Sequence, residues 1–120
     1  MLKLKIDLNY KQPEPKNEKE KAEFVSSSEL TSSYINYAAN KKYPNGLKGV
    51  NLRAFARIQN KLDTAILDKI DYIELESAEV DFLKEILKGE DVEFPANVSK
   101  FVVVLLDEFD NTLAKEKEQV

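Results

Sequence analysis

The chain has 120 residues, 42% hydrophobic and 33% charged, with a formal net charge of −4. Chains of that size and composition form one globular domain and bury about two-thirds of their unfolded surface, which excludes a disordered or fibrous chain. There is no cysteine and no histidine, so disulfides, thiolate nucleophiles, Cys- or His-built metal sites and imidazole general bases are all excluded.

Leu2, Leu4, Ile6, Leu8 and Tyr10 alternate with Lys3, Lys5, Asp7 and Asn9, the period-two pattern of a strand with one buried face. The same segment lacks the unbroken apolar core of a signal peptide, and no stretch approaches the roughly 20 apolar residues of a membrane span. The expected location is therefore cytoplasmic, or the host cytoplasm if the gene is viral, with no membrane contact. Residues 12–23 carry Pro13, Pro15 and a run of Lys and Glu, which predicts a mobile charged loop. Ala22–Ser26 is the expected returning strand, anchored by Phe24 and Val25.

Ser27 or Ser28 is the expected N-cap of a helix running to about Lys42, with Leu30, Tyr34, Tyr37 and Ala38 on one face. Tyr43-Pro44-Asn45-Gly46 ends it, and Gly46 and Gly49 bracket a turn. Asn51 is the expected cap of a second helix, in which Leu52, Phe55, Ala56, Leu62, Ala65 and Ile66 follow the 3.6-residue period. Tyr72–Glu76 reads as a short extended segment leading to a third helix. That helix has Ser77 as N-cap, Glu79 in the first turn, Val80, Leu83, Ile86 and Leu87 as the apolar stripe, and Gly89 as a C′ stop.

Residues 97 to about 114 place Val98, Phe101, Val102, Leu105, Leu106, Phe109 and Leu113 at helical spacing. The three consecutive valines within 101–106 also suit a buried strand, and length and period favour the helix. The expected fold is a single α+β domain over 1–114, an N-terminal two-stranded antiparallel ribbon followed by about four packed helices, with a frayed tail over 115–120. A two-stranded ribbon is marginal alone and must pack on a helix or another subunit, and its open edge makes a homo-oligomer an expectation.

The sequence FVVVLLDEFD (101–110) looks like a Walker B strand ending in Asp107-Glu108, but no GxxxxGK[ST] phosphate cradle accompanies it. An amphipathic helix with a solvated acidic end accounts for the same residues. The carboxylate groups Glu74/Glu76, Glu79/Asp81, Glu90/Asp91/Glu93 and Asp107/Glu108/Asp110 show no signs of a cleft, Asp91–Glu93 lacks calcium-loop spacing, and all read as surface charge. No catalytic residue, metal or cofactor is expected, and the chain is not expected to be an enzyme.

Charge is segregated along the chain. Residues 30–62 hold six basic side chains and no acidic one, and residues 63–114 hold fourteen acidic against four basic. Arg53, Arg57 and Lys61 recur every four residues and form one stripe on the second helix. Together with Lys42, Tyr37 and Tyr43 they are the candidate partner- or anion-binding residues, because arginine forks and aromatic faces grip phosphates and stack bases. The acidic pI near 5.0 and the absence of a nucleic-acid motif place a protein partner ahead of nucleic acid. Ahead of both stands the reading in which this charge is solvated or matched against the acidic helices, inside the monomer or between subunits.

The Lys3-x-Lys5-x-Asp7 strand, FARIQNKLD (55–63) and IELESAEVDFLKEIL (73–87) together resemble small accessory proteins encoded by phages and prophages. The likeness covers most of the chain. It implies a viral or prophage origin and a strand pair before a compact helical body, and it carries over no activity and no catalytic residue. The expected function is a non-enzymatic protein–protein interaction, as adaptor, regulator or inhibitor of a host protein. The alternative is nucleic-acid or nucleotide binding through the basic helix face.

Overall fold

A computed structural model of the chain describes residues 2–8, 26–89 and 92–118. The order is β1 (Leu2–Lys5), α1 (Ser27–Lys42), α2 (Gly49–Leu67), β2 (Tyr72–Leu75), α3 (Ser77–Lys88), a 3-10 turn at Ala96–Val98, and α4 (Ser99–Glu118). This is the α+β layout that the patterning predicts, a two-stranded antiparallel sheet with four helices. The strand facing β1 is Tyr72–Leu75, in the register Leu2↔Leu75, Lys3↔Glu74, Leu4↔Ile73 and Lys5↔Tyr72. Of the expected return over 22–26, Ser26 is described and caps α1; residues 22–25 and the charged loop over 12–23 lie outside the described residues.

The register follows from the alternation on both strands. Leu2, Leu4, Ile73 and Leu75 are buried together, while Lys3 and Tyr72 lie on the outer face, with the Lys3 ammonium 5.0 Å from the Tyr72 ring centroid. Past the ladder, the Ile6 N–H donates to Asp71 O at 2.7 Å, and Ile6 and Leu8 continue into the core. Thr31, fully buried on α1, shares its hydroxyl between the carbonyl oxygens of Ile6 and Ser27, 2.9 Å from each.

Helix boundaries shift from expectation by one to four residues. Ser26 rather than Ser27 or Ser28 caps α1, its Oγ accepting from the Glu29 N–H at 3.1 Å. The second helix starts at Gly49, ahead of Asn51, whose Nδ2 donates instead to Tyr43 Oη at 3.1 Å. Glu76 rather than Ser77 caps α3 in a reciprocal capping box with Glu79, which satisfies two orphan N–H groups at once. Gly89 is an extended C-cap at φ −72, not a left-handed C′ residue; glycine is needed because a β-carbon there would collide with the Glu85 carbonyl oxygen. Residues 101–106 are helical, and α4 spans Ser99–Glu118, four residues past the expected end near Ala114.

The core joins all four helices to the inner face of the sheet. Ile35, Ile58, Leu62, Phe82, Leu83, Ile86, Leu105 and Phe109 are essentially inaccessible. The face of α2 differs from the expected one: Ala54, Ile58, Leu62 and Ala65 point inward, whereas Leu52 is 51% exposed and Ala56 faces solvent. No helix among the described residues is long and apolar enough to cross a membrane.

One charged group lies inside this core. The Glu79 side chain is completely buried and paired with Lys61 Nζ from α2, and its second oxygen accepts from the Glu76 N–H at 3.4 Å. Lys61 Nζ also donates to the Glu74 carbonyl at 2.8 Å, so one ammonium ties α2 to both β2 and the start of α3. Removing the cation strands a buried carboxylate. Because the Lys61 side chain keeps 31% exposure, Lys61→Met should cost about 3 kcal/mol, the low end for a broken buried pair. Adding Glu79→Gln should recover part of that loss in urea unfolding, since the amide still offers an acceptor and leaves no charge behind.

Candidate functional site

The sequence-predicted binding residues separate into an internal group and an outward group. Steps of four residues advance about 40° around a helix, so a stripe at i, i+4 and i+8 drifts through about 80°. Along α2, Arg53 and Arg57 are therefore exposed while Lys61 has rotated to the edge of the inner face, where it holds Glu79. Lys42 is half-buried and takes part in interactions within the molecule.

The tyrosines are internal as well. Tyr43 stacks on Phe82, with centroids 6.1 Å apart and planes at 13°, and Phe55 packs on the same ring at 5.9 Å. Its hydroxyl donates to Glu85 Oε2 at 2.6 Å and accepts from Asn51, tying the α1–α2 turn to α3. Tyr37 packs on Phe94 at 5.5 Å, donates to the Glu93 carbonyl at 3.2 Å and lies under the Lys41 ammonium, 5.6 Å from the centroid. Rings fixed in this way secure the segment before α4 and are not open stacking platforms.

The Glu85 hydrogen bond, then burial, then the Glu85 charge push the Tyr43 phenol up to about 12. A folded-state pKa raised above the unfolded value favours the neutral phenol. The stabilisation is fully present below about pH 10 and is lost as pH rises through about 12. Stability should therefore fall more steeply over that window in the native chain than in Tyr43→Phe, as chemical denaturation at stepped pH would measure.

What remains outward is a continuous face of α2: Leu52, Arg53, Ala56, Arg57, Asn60, Asp63, Thr64 and Leu67 are all exposed. Leu67 is 81% exposed, and Val50 beside Leu52 is 71% exposed. Among the described residues neither Arg53 nor Arg57 enters an ion pair. The apolar exposure at both ends of this face is the signal that sequence reading missed, because Leu52 and Ala56 were counted toward the core.

The charge order on α2 runs against its helix dipole, and α4 likewise opens without an acidic residue in its first turn. α1 has Glu29 in its first turn and Lys41 and Lys42 in its last, and α3 has Glu79 and Lys88 in the same places, as the helix dipole favours. α2 has no acidic residue in its first turn and no basic residue in its last. Lys48 stands at its N-cap and Asp68 at its C-cap, so the polarity is reversed.

The acidic sequence around Asp107 lies on a helix and not at the end of a strand. Asp110 pairs with Lys88 at 2.5 Å, and among the described residues no three carboxylates converge. A shallow groove of about 410 Å³ runs between α2 and β2, past Lys61, Ala65, Ile70 and Tyr72. Glu74 is the one carboxylate on its described wall, so it offers no seat for paired-carboxylate chemistry.

Neither a protein-family model, nor a curated protein, nor a solved structure matches the chain. Any reading of function rests on the surface just described.

Proposed function

We propose that this is a non-enzymatic accessory protein of the phage type, acting by protein–protein contact through the outward face of α2. The observation that carries the reading is the exposed Arg53 and Arg57, set between Val50, Leu52 and Leu67. Exposed apolar side chains grouped with arginine, a residue enriched at protein interfaces, mark a contact surface. Guanidinium groups that pair with no carboxylate among the described residues favour an acidic surface on the partner, a host protein being the leading candidate, with adaptor, regulator or inhibitor as the role.

The nucleic-acid alternative loses support, because Lys61, Tyr37 and Tyr43 are engaged inside the molecule. Two arginines alone are a small phosphate-neutralising set.

The test is affinity capture from bacterial lysate with the tagged chain and with Arg53→Glu/Arg57→Glu, quantified by mass spectrometry. Specific partners should fall by about tenfold or more in the variant, as expected when a charge contact is reversed. An unchanged capture profile would dispose of the proposed surface. Binding of labelled single-stranded DNA that weakens steeply with salt would favour the alternative.

A further inference from the structure

We infer that the outward face of α2 is self-complementary and pairs antiparallel with the same face of a second copy, giving a two-fold symmetric homodimer. The inference rests on the reading of α2 as a contact surface and names one partner for it.

The first line of support is the order of residues along the face. From its N-terminal end the exposed face runs Leu52, Arg53, Ala56, Arg57, Asn60, Asp63 and Leu67, with Asp68 at the C-cap. The basic residues occupy one half and the acidic residues the other, with an exposed leucine at each end and Ala56 and Asn60 near the middle. A two-fold axis at Asn60 brings the arginine half of one copy against the aspartate half of the other, and each Leu52 level with the partner's Leu67. An isologous interface must be self-complementary in this sense. The two matched leucine pairs lie about 22 Å from each other along the helix, and Ala56 leaves room for the axes to approach.

The second line is the reversed polarity. Lys48 and Asp68 at the two ends of α2 both oppose its own dipole, in a molecule whose α1 and α3 follow the rule. In an antiparallel pair each helix end meets the opposite end of its partner, so the charge that opposes the dipole within one copy becomes complementary between copies. Departures from a local rule are expected where a surface serves something beyond the monomer.

One pair of helix faces buries less than the roughly 1,200 Å² of a standard interface, so the dimer should be weak and reversible. Sedimentation velocity on the full chain, from about 5 µM to about 500 µM, should show a concentration-dependent shift from monomer toward dimer. Arg53→Glu/Arg57→Glu and Asp63→Lys/Asp68→Lys should each stay monomeric, and each should melt within a few degrees of the native monomer, since all four side chains are exposed. An equimolar mixture of the two variants should form a 1:1 dimer, and all four substitutions in one chain should restore self-association.

A native chain that is monomeric throughout the range, or variants whose mixture does not associate, would overturn the inference. Lysate capture that still depends on Arg53 and Arg57 in a strictly monomeric protein would overturn it too, while leaving the wider reading of α2 in place. Dimerisation that obeys the charge swaps without any lysate capture would support the inference and remove the host partner.

Discussion

The contact on which the rest of the structure depends is the ammonium of Lys61 held between the Glu79 carboxylate and the Glu74 carbonyl. Glu79 is fully buried because it is the third residue of a capping box whose helix, α3, lies at the centre of the core. A buried carboxylate requires a cation and hydrogen-bond donors together. Lys61 supplies the charge from α2, and the Glu76 N–H completes the set. Helix rotation, strand position and cap are thereby fixed by one cluster of atoms.

That cluster also sets which side of α2 meets water. With Lys61 at the edge of the inner face, helical geometry places Ala54, Ile58, Leu62 and Ala65 inward and Arg53, Ala56 and Asn60 outward. An apolar count along α2 gives no such answer, since Leu52 and Ala56 suit an inward stripe as well as Ile58 does. This is why the helix was legible in the sequence while its rotation was not. The deciding partner, Glu79, lies far along the chain on a different helix.

The same limit explains the sheet. The alternation in Leu2–Leu8 identifies a strand from local information, and the alternation in Tyr72–Leu75 identifies an extended segment. Their pairing spans α1 and α2, so nothing local to either segment announces it. Helix ends were legible to within one to four residues because capping is local chemistry. At α2 the expected cap, Asn51, lies inside the helix with its amide N–H turned to Tyr43 Oη. Of the candidate site, Arg53 and Arg57 were legible as outward charge. Tyr37, Tyr43 and Lys61 were not separable from them, because a side chain that serves the fold and one that serves a surface have the same identity in sequence.

The aromatic residues show how the division of labour arises. Tyr34 lies 5.4 Å from Phe101 and 6.4 Å from Phe94, and Phe94 in turn holds Tyr37. Tyr43 and Phe55 meet on Phe82. Ring packing of this kind is worth about 0.5–1.5 kcal/mol per pair beyond area burial, and it secures both the segment before α4 and the turn before α2. With the tyrosines and Lys61 committed inward, the basic side chains of residues 30–62 that remain exposed are Lys41, Lys48, Arg53 and Arg57. What does face outward is ordered: arginine toward one end, aspartate toward the other, leucine at each end. A helix that served the monomer alone would gain from the opposite order, as α1 and α3 do. The reversal is therefore the feature of this surface that the internal packing leaves unexplained, and contact with another molecule is the physical setting in which it ceases to be a cost.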